Sequence, residues 1–448
     1  MKKTPKRYFI DPFGCVKNQV DAENMMAHLN NSGWENTTNP GHADIIIVNS
    51  CGFIESAKKE SINAVFEWRK IYPNKKILLA GCLSQRYAQE LKNELHEADY
   101  FMGVEDISQI TKKVNNLKTK NKNSNGINKF TRTKKKVLYT GERPLLSLPG
   151  SAYIKISEGC NNNCSYCAIP LIRGKLVCRK IPDIIKEFKS LINRGINELC
   201  IIGQDIGAYD KGLNNLLKSI SMLKGDFWVR LLYIHPDHFP MEILDLIERD
   251  KRFLPYFDIP FQHGSEKILT AMNRKGSSKK YLELIKTIRS RLPNAVIRST
   301  FLLGFPGETE EDFSALLDFQ KKAKLDWLGC FTYSREEDTA AYSMKKRVST
   351  KTAAARKKII EENQIPITEK NMNRFVNQTL EVLVEEKIEN NNDNTHDENL
   401  WLGRLYCQAP DIDGSTVIVC ENKKDLQLGS IVKCKVTARR GFDLEVRA

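Results

Sequence analysis

No stretch of this chain approaches the ~18 consecutive apolar residues that a membrane-spanning helix needs, so no membrane partner is expected. Near its start the only apolar run is Tyr8-Phe9-Ile10, cut off by Asp11-Pro12, which is too short for a secretory leader. A disulfide framework is equally out of place. Twelve cysteines are spread over 448 residues with no export signal, so they are expected as thiols or metal ligands in a reduced, cytoplasmic protein. Acid is the scarcer charge, with 55 Asp+Glu against 70 Lys+Arg and a net of +15. That balance favours an anionic partner such as ribosomal RNA or tRNA without specifying one. What is present, 41% hydrophobic and 28% charged residues, is the composition of a globular chain long enough for two or three cores.

Acid is missing altogether from Thr111 to Lys136, where ten Lys/Arg stand among Asn, Thr and Ser. Such a segment cannot bury enough surface to fold alone, and it reads as a solvated connector or as an arm that touches RNA. Before it, Ile45-Ile46-Ile47-Val48 precedes a helical pattern from Glu55 to Ile71, and Ile77-Leu78-Leu79-Ala80 precedes another from Gln85 to Leu95. This alternation predicts a parallel α/β sheet. After the connector, strand candidates begin at Ser151, Glu198, Phe227, Tyr256, Ala295 and Trp327, separated by helical segments such as Ile184 to Ile192, Met241 to Glu248, Tyr281 to Arg289 and Glu310 to Ala323. Six β/α units make a partial barrel, short of the usual eight. From about Phe375, short alternating strands (Leu380 to Val384, Thr416 to Cys420, Ser430 to Val436), broken by the polar insert Asn390 to Asn399, predict a small antiparallel β-barrel. The fold class is therefore α/β with a β-barrel appended. Its expected divisions are 1–110, a basic linker 111–148, a partial barrel 149–374 and a terminal barrel 375–448.

The strongest local signal is Cys160-x-x-x-Cys164-x-x-Cys167, in the loop after the first barrel strand. Three thiolates so close together suit a metal centre, and soft sulfur selects zinc or an iron–sulfur cluster. Structural zinc normally takes four protein ligands, whereas three cysteines on a cubane leave one iron open. With Tyr166 just before the last cysteine, the motif resembles the radical S-adenosylmethionine (SAM) enzymes. That resemblance implies a [4Fe–4S] cluster whose open iron chelates SAM, and a reductive cleavage that generates a 5′-deoxyadenosyl radical able to take hydrogen from an unactivated carbon. Ligands of β/α barrels sit at the carboxyl ends of the strands. There stand Gln204-Asp205, His235, Gln262-His263, Gly304-Phe305-Pro306-Gly307-Glu308 and Ser334-Arg335. The resemblance implies that Gln204, Asp205, Gln262, Gly304 and Glu308 help to hold SAM, while His235 and His263 read as structural.

Cys15, Cys51 and Cys82 are distant in sequence yet each follows a strand candidate and precedes a helix, so a parallel sheet would bring them to one edge. Three buried, inert thiols is the alternative. Their surroundings, Phe13-Gly14-Cys15-Val16-Lys17-Asn18, Val48-Asn49-Ser50-Cys51-Gly52-Phe53 and Ala80-Gly81-Cys82-Leu83-Ser84-Gln85-Arg86-Tyr87, resemble the amino-terminal domain of the methylthiotransferases. In that family such cysteines hold a second [4Fe–4S] cluster used in sulfur delivery, a second SAM supplies the methyl group, and the carboxyl-terminal barrel is a TRAM domain. Cys178, Cys200, Cys330, Cys407, Cys420 and Cys434 lack ligand spacing and read as packing residues.

Two branches of the family differ in substrate: a tRNA adenosine beside the anticodon, or an aspartate of ribosomal protein S-twelve. The terminal barrel, from Val376 to Ala448, carries 13 acidic and 9 basic residues. A net negative reader suits a basic ribosomal protein better than a phosphate backbone. Arg404-Leu405-Tyr406-Cys407-Gln408-Ala409-Pro410-Asp411-Ile412-Asp413-Gly414 resembles the TRAM domain of the protein-modifying, RimO-type branch. The expected activity is thus methylthiolation of the aspartate β-carbon, with tRNA methylthiolation, or a non-catalytic iron–sulfur protein of the ribosome, as alternatives. An electron donor of the flavodoxin or ferredoxin kind is implied, and the basic linker is a candidate for ribosomal RNA contact.

Overall fold

A computed structural model describes residues 5–116, 142–388, 398–421 and 425–448. Most of the basic connector (117–141) and most of the polar insert (389–397) therefore lie outside the described residues. The chain forms two compact units: Met1–Leu146 with Ser157–Arg179 and Ser334–Tyr342, and Ser147–Ile156 with Lys180–Tyr333 and Ser343–Ala448.

The first unit is built on β1 (Lys6–Pro12), α1 (Val16–Asn30), β2 (Trp34–Asn36), β3 (Ile45–Ser50), α2 (Glu55–Ile71), β4 (Lys76–Gly81), α3 (Cys82–Arg86), α4 (Ala88–Glu94), β5 (Tyr100–Met102) and α5 (Ile110–Asn116). Its five strands pair in the order β2-β1-β3-β4-β5, all parallel. Alternate residues of a strand face opposite sides, so a strand covered on both faces is apolar throughout. In β3, Ile45 and Ile47 pack with Met25, Met26 and Leu29 of α1, whereas Ile46 and Val48 pack with Ala64 and Val65 of α2. The first residues expected in the solvated connector instead form α5. Ile110 and Val114, one helical turn apart, are buried in the α1 core, and that burial holds the segment in place despite its lysines. The same unit contains the hairpin of β7 (Ser157–Glu158) and β8 (Val177–Cys178), which brackets α6 (Ile169–Arg173).

The second unit contains β6 (Ser151–Lys155), α7 (Ile181–Asn193), β9 (Glu198–Ile202), α8 (Leu213–Ser221), β10 (Trp228–Leu231), α9 (Ile243–Arg249), β11 (Phe253–Asp258), α10 (Glu266–Ala271), α11 (Ser278–Arg291), β12 (Val296–Leu303), α12 (Glu310–Ala323), β13 (Trp327–Thr332) and α13 (Thr350–Asn373). Six parallel strands lie in sequence order, β6-β9-β10-β11-β12-β13, the open barrel sheet that six β/α units require. The long α13 shows no apolar period in the sequence. Its buried stripe, Ala353, Arg356, Ile360, Gln364, Thr368 and Met372, has helical spacing but is half polar. Two of the polar members bond to nearby carbonyls: Gln364 donates to Leu325 O (2.8 Å) and Thr368 to Asp326 O (2.8 Å).

Strands β14 (Thr379–Lys387), β15 (Glu398–Leu405), β16 (Thr416–Glu421), β17 (Ile431–Arg440) and β18 (Asp443–Arg447) close a barrel in the order β14-β15-β16-β18-β17. The barrel is not antiparallel throughout, because β16 and β18 pair parallel. Strand directions cannot alternate around a closed ring of five, so at least one neighbouring pair must run the same way.

This small barrel packs on the amino-terminal part of the (β/α)6 strands. Arg404 donates to Glu198 at the start of β9 (2.5 Å) and to Glu385 (2.8 Å), and Glu198 also accepts from Arg230 of β10 (2.8 Å). Tyr256 donates to Asp413 (2.6 Å), and Trp327 Nε1 donates to Cys407 O (2.7 Å). The Arg404 to Gly414 signature is therefore spent on joining the two barrels, at the end of the strands opposite their carboxyl termini.

Candidate metal centre and cofactor site

In the first unit, Cys15, Cys51 and Cys82 follow β1, β3 and β4, three adjacent parallel strands. Two glycines allow their loops to close together. Gly14 has φ +88°, and a Cβ there would lie 2.8 Å from Cys51 Cβ and 3.1 Å from its Sγ. A Cβ on Gly52 would lie 2.8 Å from the Cys82 carbonyl. Asn18, buried on α1, ties the loops by donating to Phe13 O (2.9 Å) and Ser50 O (2.8 Å), and Asn49 donates back to Asn18 O (2.7 Å). The Cys51 amide donates to Ser61 Oγ (3.0 Å).

Burial is the main cause that pushes the Cys82 thiol up to about 12, and the neighbouring Cys15 and Cys51 add to it. Burial likewise raises Cys51. Cys15 differs: the surrounding protein opposes its ionisation, but the charges of Lys17 and Arg173 and the amides of Asn18 and Lys17 hold it below the ordinary thiol value. Crowded thiols whose charged forms repel one another are stabilised as thiolates by a multivalent cation. This trio thus has the donor chemistry of a thiolate-held metal cluster, and the glycine-lined approach of the three loops fits it.

The second trio lies between β7 and α6, and all three cysteines are partly exposed. The Cys160 amide donates to Gly174 O (3.2 Å), the Asn162 amide to Cys160 Sγ (3.4 Å) and the Cys167 amide to Cys164 O (3.1 Å). The two trios belong to one unit, and Cys82 packs directly against Ala168 and Ile172 beside α6. Arg173, which ends α6, joins them. Its buried guanidinium donates to Cys82 Sγ (3.1 Å) and Asn18 Oδ1 (2.8 Å) and pairs with Asp21 (2.9 Å) and Glu158 (2.8 Å). Neither Asn18 nor Arg173 stood out in the sequence as more than a flanking residue. Glu336 anchors the 334–342 segment of this unit through Arg86 (2.5 Å) and Lys58 (3.0 Å), and the Ala341 amide donates to Ser165 O (2.7 Å).

In the second unit the residues expected around SAM lie beyond the carboxyl ends of the strands. Gln204 and Asp205 follow β9, Gln262 (φ +71°) follows β11, and Gly304 (φ +74°) to Glu308 follow β12. Two of the carboxylates serve their own chain. Glu308 accepts from the Gly304 (2.7 Å) and Phe305 (3.2 Å) amides and pairs with Arg356 (2.7 Å), so it shapes the glycine turn from within. Burial would raise Glu308, but His263 and Arg356 hold it below the usual carboxylate range. Asp205 accepts from the Gly207 (3.1 Å) and His235 (3.2 Å) amides and from His238. His263 is buried, its Nδ1 accepting from the Ser265 amide (2.9 Å). The sequence reading missed His238, although His235-x-x-His238 after a strand was its signal.

An open parallel β/α sheet with a three-cysteine loop after its first strand defines the class. Residues 154–319 match the radical SAM superfamily, 7–103 the family UPF0004 and 376–448 the TRAM domain. The fold is shared with the radical SAM methyltransferase TsrM from Kitasatospora setae (14% identity, TM-score 0.55, 75% of this chain and 77% of that one). It is also shared with the cobalamin-dependent SAM radical enzyme OxsB (12%, 0.51, 80% and 56%). Within that class, the ribosomal protein uS12 methylthiotransferase RimO of Treponema denticola is 48% identical over 98% of this chain and all of its own length. Those of Aquifex aeolicus (39%, 97% and 95%) and Syntrophomonas wolfei (38%, 96% and 97%) align equally fully. This chain belongs to the RimO family of ribosomal protein uS12 methylthiotransferases.

Proposed function

We propose that this chain is a radical SAM methylthiotransferase that replaces a β-carbon hydrogen of an aspartate in ribosomal protein uS12 with a methylthio group. The observation that carries this reading is the gathering of two cysteine trios into one unit, one on the loop after β6 and one at the ends of β1, β3 and β4. Cys160, Cys164 and Cys167 would hold one [4Fe–4S] cluster, and Cys15, Cys51 and Cys82 the other. When bound, these groups supply the electron for SAM cleavage and a site for sulfur. The chain's own contributions are clear from its contacts. Gly14 and Gly52 let the cysteine loops approach, Asn18 clamps them, and Arg173 sets positive charge beside Cys82 and ties α6 to α1. In the other unit, Glu308 fixes the turn Gly304 to Gly307, whose backbone, with Gln204 and Gln262, would receive SAM.

A flavodoxin or ferredoxin would serve as the one-electron donor, and a ribosomal substrate supports a cytoplasmic enzyme. The connector, rich in Lys and Arg, would contact ribosomal RNA if the substrate is taken within a subunit. The test is anaerobic incubation of the reconstituted chain with SAM, reductant and sulfide, and with either uS12 or undermodified tRNA. A methylthio mass increment on the uS12 aspartate is expected, and its appearance on tRNA alone would overturn the assignment.

A further inference from the structure

Asp205 and His238 form a pair that the reading above leaves unused. The Asp205 side chain is 2% exposed, whereas that of His238, on the short turn Pro236–His238 beyond β10, is 40% exposed. The Nδ1–H of His238 donates to Asp205 Oδ2 at 2.7 Å, and the other carboxylate oxygen is fixed by the Gly207 and His235 amides. With Nδ1 committed, Nε2 is the remaining polar atom of this partly exposed ring. The hydrogen bond from Asp205 is the main cause that raises His238 above the ordinary imidazole value; Asp237 adds to it, while burial and Lys275 oppose it. His235 is its opposite. Burial and the charge of Arg274 push it down to about 3, and its Nδ1 accepts from the Asp237 amide (3.2 Å), so it stays neutral. The ligand atoms of Asp205, His235 and His238 lie within 4.8 Å of one another, but the Asp205–His238 hydrogen bond already uses one such atom of each and the positive charge of Arg274 acts on His235, which disfavours a cation there.

Both residues lie at the carboxyl ends of neighbouring strands, β9 and β10, the end of a β/α barrel where ligands react. We infer that His238, oriented by the buried carboxylate of Asp205, binds the side-chain carboxylate of the target aspartate. The inference rests on the proposed function. The carboxylate is one bond from the carbon to be modified and is unchanged by the reaction, so gripping it fixes which C–H bond is presented. A neutral nucleobase offers no such anion. Asp205 is then a positioning residue: it fixes the ring and favours its charged form.

The test uses the full, anaerobically reconstituted chain and uS12 carrying either Asp or Asn at the modified position, with Kd measured by fluorescence anisotropy. The wild type is expected to prefer the Asp form by about tenfold, the scale of one charge-assisted hydrogen bond. His238→Gln, which keeps a neutral donor of similar reach, should bind both forms alike, and Asp205→Asn should fall between. Mere structural damage would weaken both forms and leave the ratio intact. A preserved preference in His238→Gln, or none in the wild type, overturns the inference. So does one zinc per chain that disappears in His238→Gln, which would make the cluster a metal site. Failure of the wild type to methylthiolate uS12 overturns the parent reading, whereas normal turnover with a preserved ratio removes only this inference.

Discussion

Replacing Arg404 with methionine tests how the terminal barrel is fixed to the (β/α)6 sheet. Glu198, Arg230 and Arg404 are all buried, and Glu198 takes three charge-assisted contacts: Arg230 Nε (2.8 Å), Arg404 Nη1 (3.3 Å) and Arg404 Nη2 (2.5 Å). Burial works against the Glu198 charge, yet the two arginines bring its pKa from 4.5 down to about 2. At ~1.4 kcal/mol per pH unit that depression represents about 3 kcal/mol of native-state stabilisation. Because the folded value lies below the unfolded one, the contribution is present above pH 4.5 and is lost as pH falls toward 2. Arg404→Met removes one partner and also strips Glu385, already raised by burial, of its cation. Breaking a buried pair on one side costs about 3–5 kcal/mol. Urea unfolding at pH 7 reports it through the buried Trp327, whose Nε1 donates across this junction to Cys407 O. The double variant Glu385→Gln/Arg404→Met should recover part of the loss, since it removes the carboxylate that Arg404→Met strands while Glu198 keeps Arg230. A loss below ~1 kcal/mol in Arg404→Met, or no recovery in the double variant, would refute this account of the junction.

Asp413 has the opposite sign. Burial raises it from 3.8 to about 6 although Arg298 and Tyr256 favour its charge, so its contribution is complete below pH 3.8 and lost as pH rises through 6. Asp413→Asn should therefore gain stability relative to the wild type between pH 4 and pH 8, by at most about 3 kcal/mol, and a flat difference across urea titrations would contradict this. Cys164→Ala should end 5′-deoxyadenosine release and remove about four iron atoms per chain, while Cys51→Ala should remove about as many yet keep some SAM cleavage; identical effects on cleavage would merge the two sites. Arg173→Met strands Asp21 and Glu158 and should lower iron retention at Cys15, Cys51 and Cys82 with about 3–5 kcal/mol of lost stability, partly rescued by Lys; unchanged iron content would remove its role. Gly14→Ala combines a left-handed backbone with a clash at Cys51 and should cost about 1–2 kcal/mol and displace that thiol, visible as slower cluster reconstitution.

Much of this molecule is legible along the chain because its signals are local. A run such as Ile45-Ile46-Ile47-Val48 can satisfy both faces of a covered strand, and Glu310 to Ala323, capped by Thr309 and Asp312, forms the helix its pattern predicts. The three-cysteine loop and the placing of Cys15, Cys51 and Cys82 after strands are equally local. The helix α13 was hidden because its buried stripe is half polar, and α5 because its lysines mask the Ile110–Val114 pair.

What only the tertiary structure decided are the contacts made by charged side chains far apart in sequence. Sequence spacing fixes the direction and period of an element, but not which buried charge finds which partner, because that depends on where several elements pack. Arg173 meets Asp21 and Cys82, Arg404 meets Glu198, and Asp205 meets His238. The six cysteines were visible as candidates from composition and position. The clamps that set their surroundings exist only once the sheet has formed.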